Sequence, residues 1–313
     1  MNTNTTSNTT PAQQLPEAPE QGTKLAFAVM IMGCFLWGSG MAVGKIAVSE
    51  YHPMFLVCVR MVIAFLVLTP FVLLKFRPIK IYAKRDLGLL IIMSLCDPVG
   101  FFAFEAMALN YTSATQASMV WALHPLLNTL AAWVLIKEKT TRAVFCCFFI
   151  AMSGVVLLTA AGGVTEHASN PILGNLFEVI SLCGAAGFVV IVRFLKGRYP
   201  VPVVLWFQSL IASIFFLPLL TLDAVTFPTV FKWEPFIATL YLGICVTLCA
   251  QGCSAYALAR IPVPRFSSFA NLVPVFGVLL SLALLGESLL PLQWVACAIV
   301  LGAVLLSQRF QRS

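Results

Sequence analysis

Six ionisable side chains stand where so apolar a chain accommodates them least: Lys45, Arg60, Asp97, Glu105, His124 and Glu178 all fall inside long hydrophobic runs. A charge at the centre of a lipid-spanning helix costs at least about 2.5–3.5 kcal/mol on insertion scales, so such groups face a protein interior or water and are functional candidates. Asp97 and His124 offer a carboxylate and an imidazole, the side chains best suited to handle a proton in a dry site. A purely structural use fits them too: His124 donating to a neighbouring helix, and Asp97, ahead of Pro98, holding backbone freed by a kink. Glu105 falls at the depth of Lys45, Arg60 and Glu178, which suits a gate, a carboxylate-and-amine clamp for a zwitterion, or a static ion-pair network. Lys45 is also near enough to the interface to extend its amine there. Aromatic residues Trp37, Phe101, Phe104, Trp121 and Trp206 lie at or near mid-run and supply walls of the kind that hold small organic molecules. Core or lipid packing is the plainer use of each. Trp121 has the best case for binding, one turn from His124.

These residues need a membrane to position them. Hydrophobic residues fill 60% of 313 positions, charged residues 10%, and the mean hydropathy is +0.95; a soluble domain has roughly 45–50% and about 25%. From Lys24 on, apolar stretches of about 20 residues, each enough to cross about 30 Å of hydrocarbon, cover 25–47, 54–74, 87–108, 114–136, 143–161, 172–194, 203–222, 236–257, 264–285 and 290–308. Backbone groups left unpaired in lipid are too costly, so these ten spans are expected to be helices. At about 1.5 Å per residue, Asp97, counted from Asp86, and His124, counted from Ala114, both lie about 15 Å deep, and the short loop between spans 3 and 4 predicts that they approach each other. Residues 1–23 are rich in Asn and Thr, then in Pro, Glu and Gln, and read as a disordered cytoplasmic tail. They lack the basic start and apolar core of a secretory signal, which leaves targeting to the first span.

Loop charges orient the spans. Lys75, Arg77, Lys80, Lys84 and Arg85 follow span 2; Lys137, Lys139 and Arg142 follow span 4; Lys196 and Arg198 follow span 6; Arg260 and Arg265 follow span 8; Arg309 and Arg312 follow span 10. The odd-numbered connections hold one base, Lys232. Both termini are therefore expected to be cytoplasmic, and topology rather than nucleic-acid binding accounts for the net charge of +7. The ten cysteines sit in apolar runs as small hydrophobes.

The chain is also a duplication. AMALNYTSATQASMVWALHPLLNTLAAWVLIKE at 106–138 returns at 255–287 as AYALARIPVPRFSSFANLVPVFGVLLSLALLGE, and one shift of 149 positions (274 − 125, 287 − 138, 258 − 109) aligns Pro125 with Pro274, Glu138 with Glu287 and Leu109 with Leu258. Five spans per copy, an odd number, predict that the copies lie inverted in the membrane, the plan on which alternating access around a central site is commonly built. The shift sets Arg60 against Ser209, Asp97 against Val246, Glu105 against Ser254 and His124 against Val273. At these four positions charge is confined to the first copy, where fold maintenance alone would constrain both.

With ten spans in two halves, the YTSA-to-glutamate stretch and its echo, and Trp37 followed by Lys45, the chain resembles the EamA type of the drug/metabolite transporter superfamily. The resemblance implies a ten-helix transporter, often an exporter, with a cavity lined by both halves; it names no substrate. The expected organisation is the tail, a first repeat at 24–161 and a second at 162–313.

Enzyme readings fail on spacing. GSGMAVGK carries Ser39 where a phosphate loop needs its first glycine and Ile46 where it needs Ser or Thr, and no soluble domain is present to bind ATP. Cys245, Cys249 and Cys253 share a face of span 8 without acidic or histidine company, so neither a metal nor a cofactor is expected. The expected function is secondary transport of a small organic metabolite, an amino acid or relative, outward and coupled to protons, by a monomer or homodimer in the cytoplasmic (inner) membrane if bacterial. Efflux of amphipathic cations is the second reading; an intramembrane enzyme or a non-transporting component is the alternative from another class.

Overall fold

A computed structural model describes residues 20–76, 84–166, 168–195, 198–222, 225–228, 230–261 and 269–310. Expectations for residues 1–19, Arg77, Lys80, Lys196, Arg265 and Arg312 lie outside them. The protein is an all-α membrane protein, and no strand occurs among the described residues. Its helices are α1 (Glu20–Val48), α2 (Pro53–Lys75), α3 (Lys84–Ser94), α4 (Phe101–Tyr111), α5 (Ala114–Trp121), α6 (His124–Ile136), α7 (Arg142–Gly162), α8 (Pro171–Leu195), α9 (Val201–Leu219), α10 (Trp233–Tyr241), α11 (Ala250–Leu258), α12 (Leu272–Leu285) and α13 (Pro291–Phe310). Wider π-helical turns, Leu95–Gly100 and Leu242–Cys249, join α3 to α4 and α10 to α11.

Eight helical runs among the described residues are long and apolar enough to cross a membrane, and the bent pair α5–α6 makes nine. The expected span at 264–285 is described only in part, chiefly as the shorter apolar α12. Helix α1 begins at Glu20, so the last four residues assigned to the tail are helical. Large apolar side chains such as Leu74, Phe149 and Ile172 face outward and exposed, the surface of a protein solvated by lipid rather than water.

Proline punctuates the runs where its missing N–H is tolerated. Pro53, Pro171 and Pro291 open α2, α8 and α13, positions at which that N–H would be unpaired in any case. Pro125 stands second in α6, after a turn at Ala122–Leu123 that bends the expected span 4 by 43°. In the second half α12 resumes after a turn at Asn271, the position that matches Ala122 under the shift. Lys137 and Gly286, also matched, both adopt left-handed backbone, with φ of 56° and 63°. The sequence repeat is thus repeated in the backbone.

Packing repeats as well. Helix α1 packs on α12 and on α10–α11, while α8 packs on α5–α6 and on α3–α4. Adding five to each span number turns the first set of pairings into the second. The pairs α2 with α9, α7 with α13 and α5 with α12 map onto themselves. Glycine permits the closest approaches: a Cβ at Gly44 would meet Leu109 Cδ1 at 2.7 Å, and one at Gly184 would meet the Cys96 carbonyl at 2.6 Å. Gly184 therefore lets α8 press against the break in span 3.

Candidate functional site

Arg60, on α2, is buried at the junction of the two copies. Its Nη1 stands 3.6 Å from Glu105 Oε2 on α4. Its Nε donates to Thr247 Oγ1 at 2.9 Å, on the π-helical turn of span 8, and Thr247 donates in turn to the Leu242 carbonyl at 2.9 Å. The guanidinium lies 3.7 Å above the Phe102 ring, whose electron-rich face attracts a cation. Asp97 is within electrostatic reach of the same guanidinium. One base of the first copy therefore engages two acids of its own half and a hydroxyl of the other.

The break in span 3 has a local cause. Proline disfavours helical backbone in the residue before it and cannot donate an N–H itself. Asp97, ahead of Pro98, takes φ −145° and ψ 118° inside the π-helical turn. Its carbonyl, released from the helix, accepts from Gln208 Nε2 on α9 at 2.6 Å. The kink anticipated at Pro98 is present, and backbone freed by it is held from span 7.

Asp97 and His124 do not meet. Spans 3 and 4 touch chiefly where their loop joins them, and α8 packs against both. His124 opens α6 and lies over Trp121, ring centroids 5.0 Å apart. Trp121 sits where three apolar clusters converge, two of which Trp37 shares. Phe101 packs on Phe102 at 4.9 Å and Phe104 on Phe177 at 6.0 Å. Trp206 uses its indole to join α9 to α2, donating to Thr69 Oγ1 at 2.9 Å beside Phe65.

Of the four charges expected at one depth, Arg60 and Glu105 form an ion pair, Glu178 lies beside Glu105, and Lys45 stands apart. Glu178, on α8, is fully buried; neither carboxylate oxygen has a hydrogen-bond partner, and the nearby charge it feels is that of Glu105. Lys45 Nζ instead donates to the Leu109 and Thr112 carbonyls at 2.6 and 2.8 Å, a cation on the negative end of α4. Glu287 accepts from the Ala114 and Thr115 N–H groups at 2.9 and 2.8 Å and so caps α5. Its repeat mate Glu138 pairs with exposed Arg193.

Thr247, Phe102 and Gln208 are the contacts that the sequence reading missed. Thr247 and Gln208 are polar residues within apolar runs, and the shift matches them with Pro98 and Val59; a search for broken polarity rather than broken charge finds both. A pocket of about 410 Å³ near Asn128, Glu138 and Arg193 contains none of the candidate residues.

Comparison with known proteins agrees with this architecture. The model of the EamA-like transporter family matches twice, at residues 24–160 and 173–308. The chain is 25% identical over 288 residues to the uncharacterized transporter YetK of Bacillus subtilis, covering 89% of this chain and 85% of YetK. It is 27% identical over 229 residues to a "probable terminal-alkyne amino-acid exporter" of Streptantibioticus cattleyicolor, covering 72% and 74%. It is 26% identical over 286 residues to the uncharacterized inner membrane transporter YedA of Escherichia coli K12, covering 90% and 89%. A protein of known crystal structure, 21% identical, superposes with a TM-score of 0.62 over 90% of this chain and 98% of its own, which shows the fold alone. Two family matches across a multi-pass helical chain establish where it belongs: it is a member of the EamA-like transporter family.

Proposed function

We propose that this transporter exports a small amine-bearing organic acid, of the amino-acid class, by rocking its two inverted halves about an interior site, with both termini cytoplasmic and protons as the driving ion. The observation that carries the reading is Arg60, whose guanidinium joins Glu105 and Thr247 across the two copies. A group bridging the halves is where a bound molecule can favour one arrangement over the other, and only such differential binding shifts a conformational equilibrium. Arg60 suits a carboxylate, the surrounding acids suit an amine, and Trp37, Phe101, Phe104 and Trp121 supply apolar wall. The relative named as an amino-acid exporter supports the substrate class, and YedA supports an inner-membrane setting. Asp97 and His124, each at the break of its span, would carry the proton separately rather than as a pair.

Efflux of amphipathic cations is the second reading. It is favoured by acids outnumbering bases around Arg60: Asp97, Glu105 and Glu178 against one guanidinium. Counterflow of labelled amino acids in liposomes containing the purified protein tests the primary reading. Exchange that is lost in Arg60→Ala, with Asp97→Asn abolishing pH-driven uptake but sparing binding, is the expected result. Exchange of lipophilic cations with none of amino acids would select the second reading, and covalent change of the substrate would point to an enzyme.

A further inference from the structure

Fully buried side-chain atoms left without a hydrogen-bond partner share one chemistry among the described residues. They are Glu178 Oε1 and Oε2, Gln208 Oε1, Asn128 Oδ1 and Thr115 Oγ1. All are oxygens, and all but the hydroxyl are acceptors when the carboxylate is ionised. The interior is therefore short of donors. Glu178 is the sharpest case, since its residue has 0% exposure and both of its oxygens are unpaired. An ionised carboxylate cannot stay bare in so dry a place, and either a proton or a cation must answer it.

Among the described residues no cation is placed for that task. Arg60 is already committed to Glu105, Thr247 and the Phe102 face, and Lys45 to two carbonyls. Of the elements packed on α8, α4 brings Glu105, the π-helical turn of span 3 brings Asp97, and α6 brings His124. Helix α3 has its charged residues at its far end, Lys84, Arg85 and Asp86; α7 has Arg142 at that end with Cys146 and Cys147; α5 has none. Glu178, about 10 Å from the Pro171 end of α8 by helical rise, thus lies within electrostatic reach of an acid, Glu105, on the packed α4.

We propose that Glu178, with Glu105 beside it, is the subsite for the ammonium group of the transported molecule, and that a proton occupies the same carboxylate whenever the subsite is empty. Entry of R–NH3+ displaces the carboxylic proton to water and leaves a carboxylate–ammonium pair. One cation replaces another and the interior charge is unchanged. Asp97 and His124 then serve the route of that proton. The inference rests on the transport reading for its ligand class and names the group that the amine meets.

A hydrophobic carbodiimide, which reacts with protonated carboxyl groups in apolar sites, tests it on the full-length protein in detergent. Glu178 should be labelled, as located by peptide mass spectrometry, and methylamine or phenethylamine should protect it while 3-phenylpropionate does not. Phenethylamine binding should release a proton to a weakly buffered solution. Glu178→Gln should abolish that release and weaken amine binding at least about tenfold, the loss of one charge-assisted hydrogen bond. Amine binding and proton release unchanged in Glu178→Gln, or labelling at Glu178 that no amine affects, would overturn the subsite. Amino-acid counterflow without amine protection sinks the subsite and keeps transport; protection without counterflow sinks the transport reading and keeps the subsite.

Discussion

The π-helical turns of spans 3 and 8 occupy the same place in the two copies, yet they do different work. In span 3 the turn is broken at Asp97, its carbonyl is turned over to Gln208 and its carboxylate faces Arg60. In span 8 the helix stays continuous, Val246 replaces the acid, and Thr247 uses its hydroxyl to receive Arg60. Extra-wide turns often mark functional sites in helices. Here the duplication supplied two, and only one acquired charge. The turn of span 3 carries the candidate charge and the turn of span 8 holds its partner in place, so substitutions at matched positions of the two turns should have unmatched effects.

The largest difference is expected at Arg60 itself. Arg60→Leu leaves Glu105 and Asp97 buried without a counter-charge and should cost about 3–5 kcal/mol, the usual consequence of halving a buried ion pair. Thr247→Val, on the other side of the same contact, should cost about 1–3 kcal/mol for one hydrogen bond to a charged group. Thermal unfolding in detergent measures both, and equal losses would erase the asymmetry. Next comes Val246→Asp, which plants an acid where the second copy has none. It should lower stability by about 2.5–3.5 kcal/mol, the insertion cost of a carboxylate at mid-span, and leave pH-driven counterflow no stronger than in the parent. The smallest effect is expected at the matched left-handed residues. Lys137→Gly should gain about 1 kcal/mol by relieving a side chain in left-handed backbone, and Gly286→Lys should lose a similar amount; a rise in the first melting temperature and a fall in the second would show that the two turns are equivalent in backbone and differ only in residue.

Much of this was legible because hydropathy and a gapless repeat are one-dimensional signals. Run length exposes a membrane helix, and the 149-residue register sets Lys137 against Gly286, which share one left-handed backbone. Depth could be counted along a helix, which put Arg60, Glu105 and Glu178 at one level. It also put Lys45 there, because depth fixes height and leaves open which way a side chain points around its helix; Lys45 turns to the end of α4. The predicted meeting of Asp97 and His124 failed for a related reason. A short loop makes two helices neighbours at the loop only, and deeper down each packs on α8, which Gly184 lets approach the Cys96 carbonyl. Thr247 and Gln208 went unnoticed because uncharged polar residues are tolerated in spans at far lower cost than ions.

The carboxylate of Glu287, clasping the first two amides of α5, bears on how the molecule can move. It clamps one end of that broken helix to the segment leaving α12, on the near side of the 43° elbow at Ala122–Leu123. The two sides of that elbow are thus held by different partners: Glu287 fixes the start of α5, while α6, which begins with His124, rests on α8.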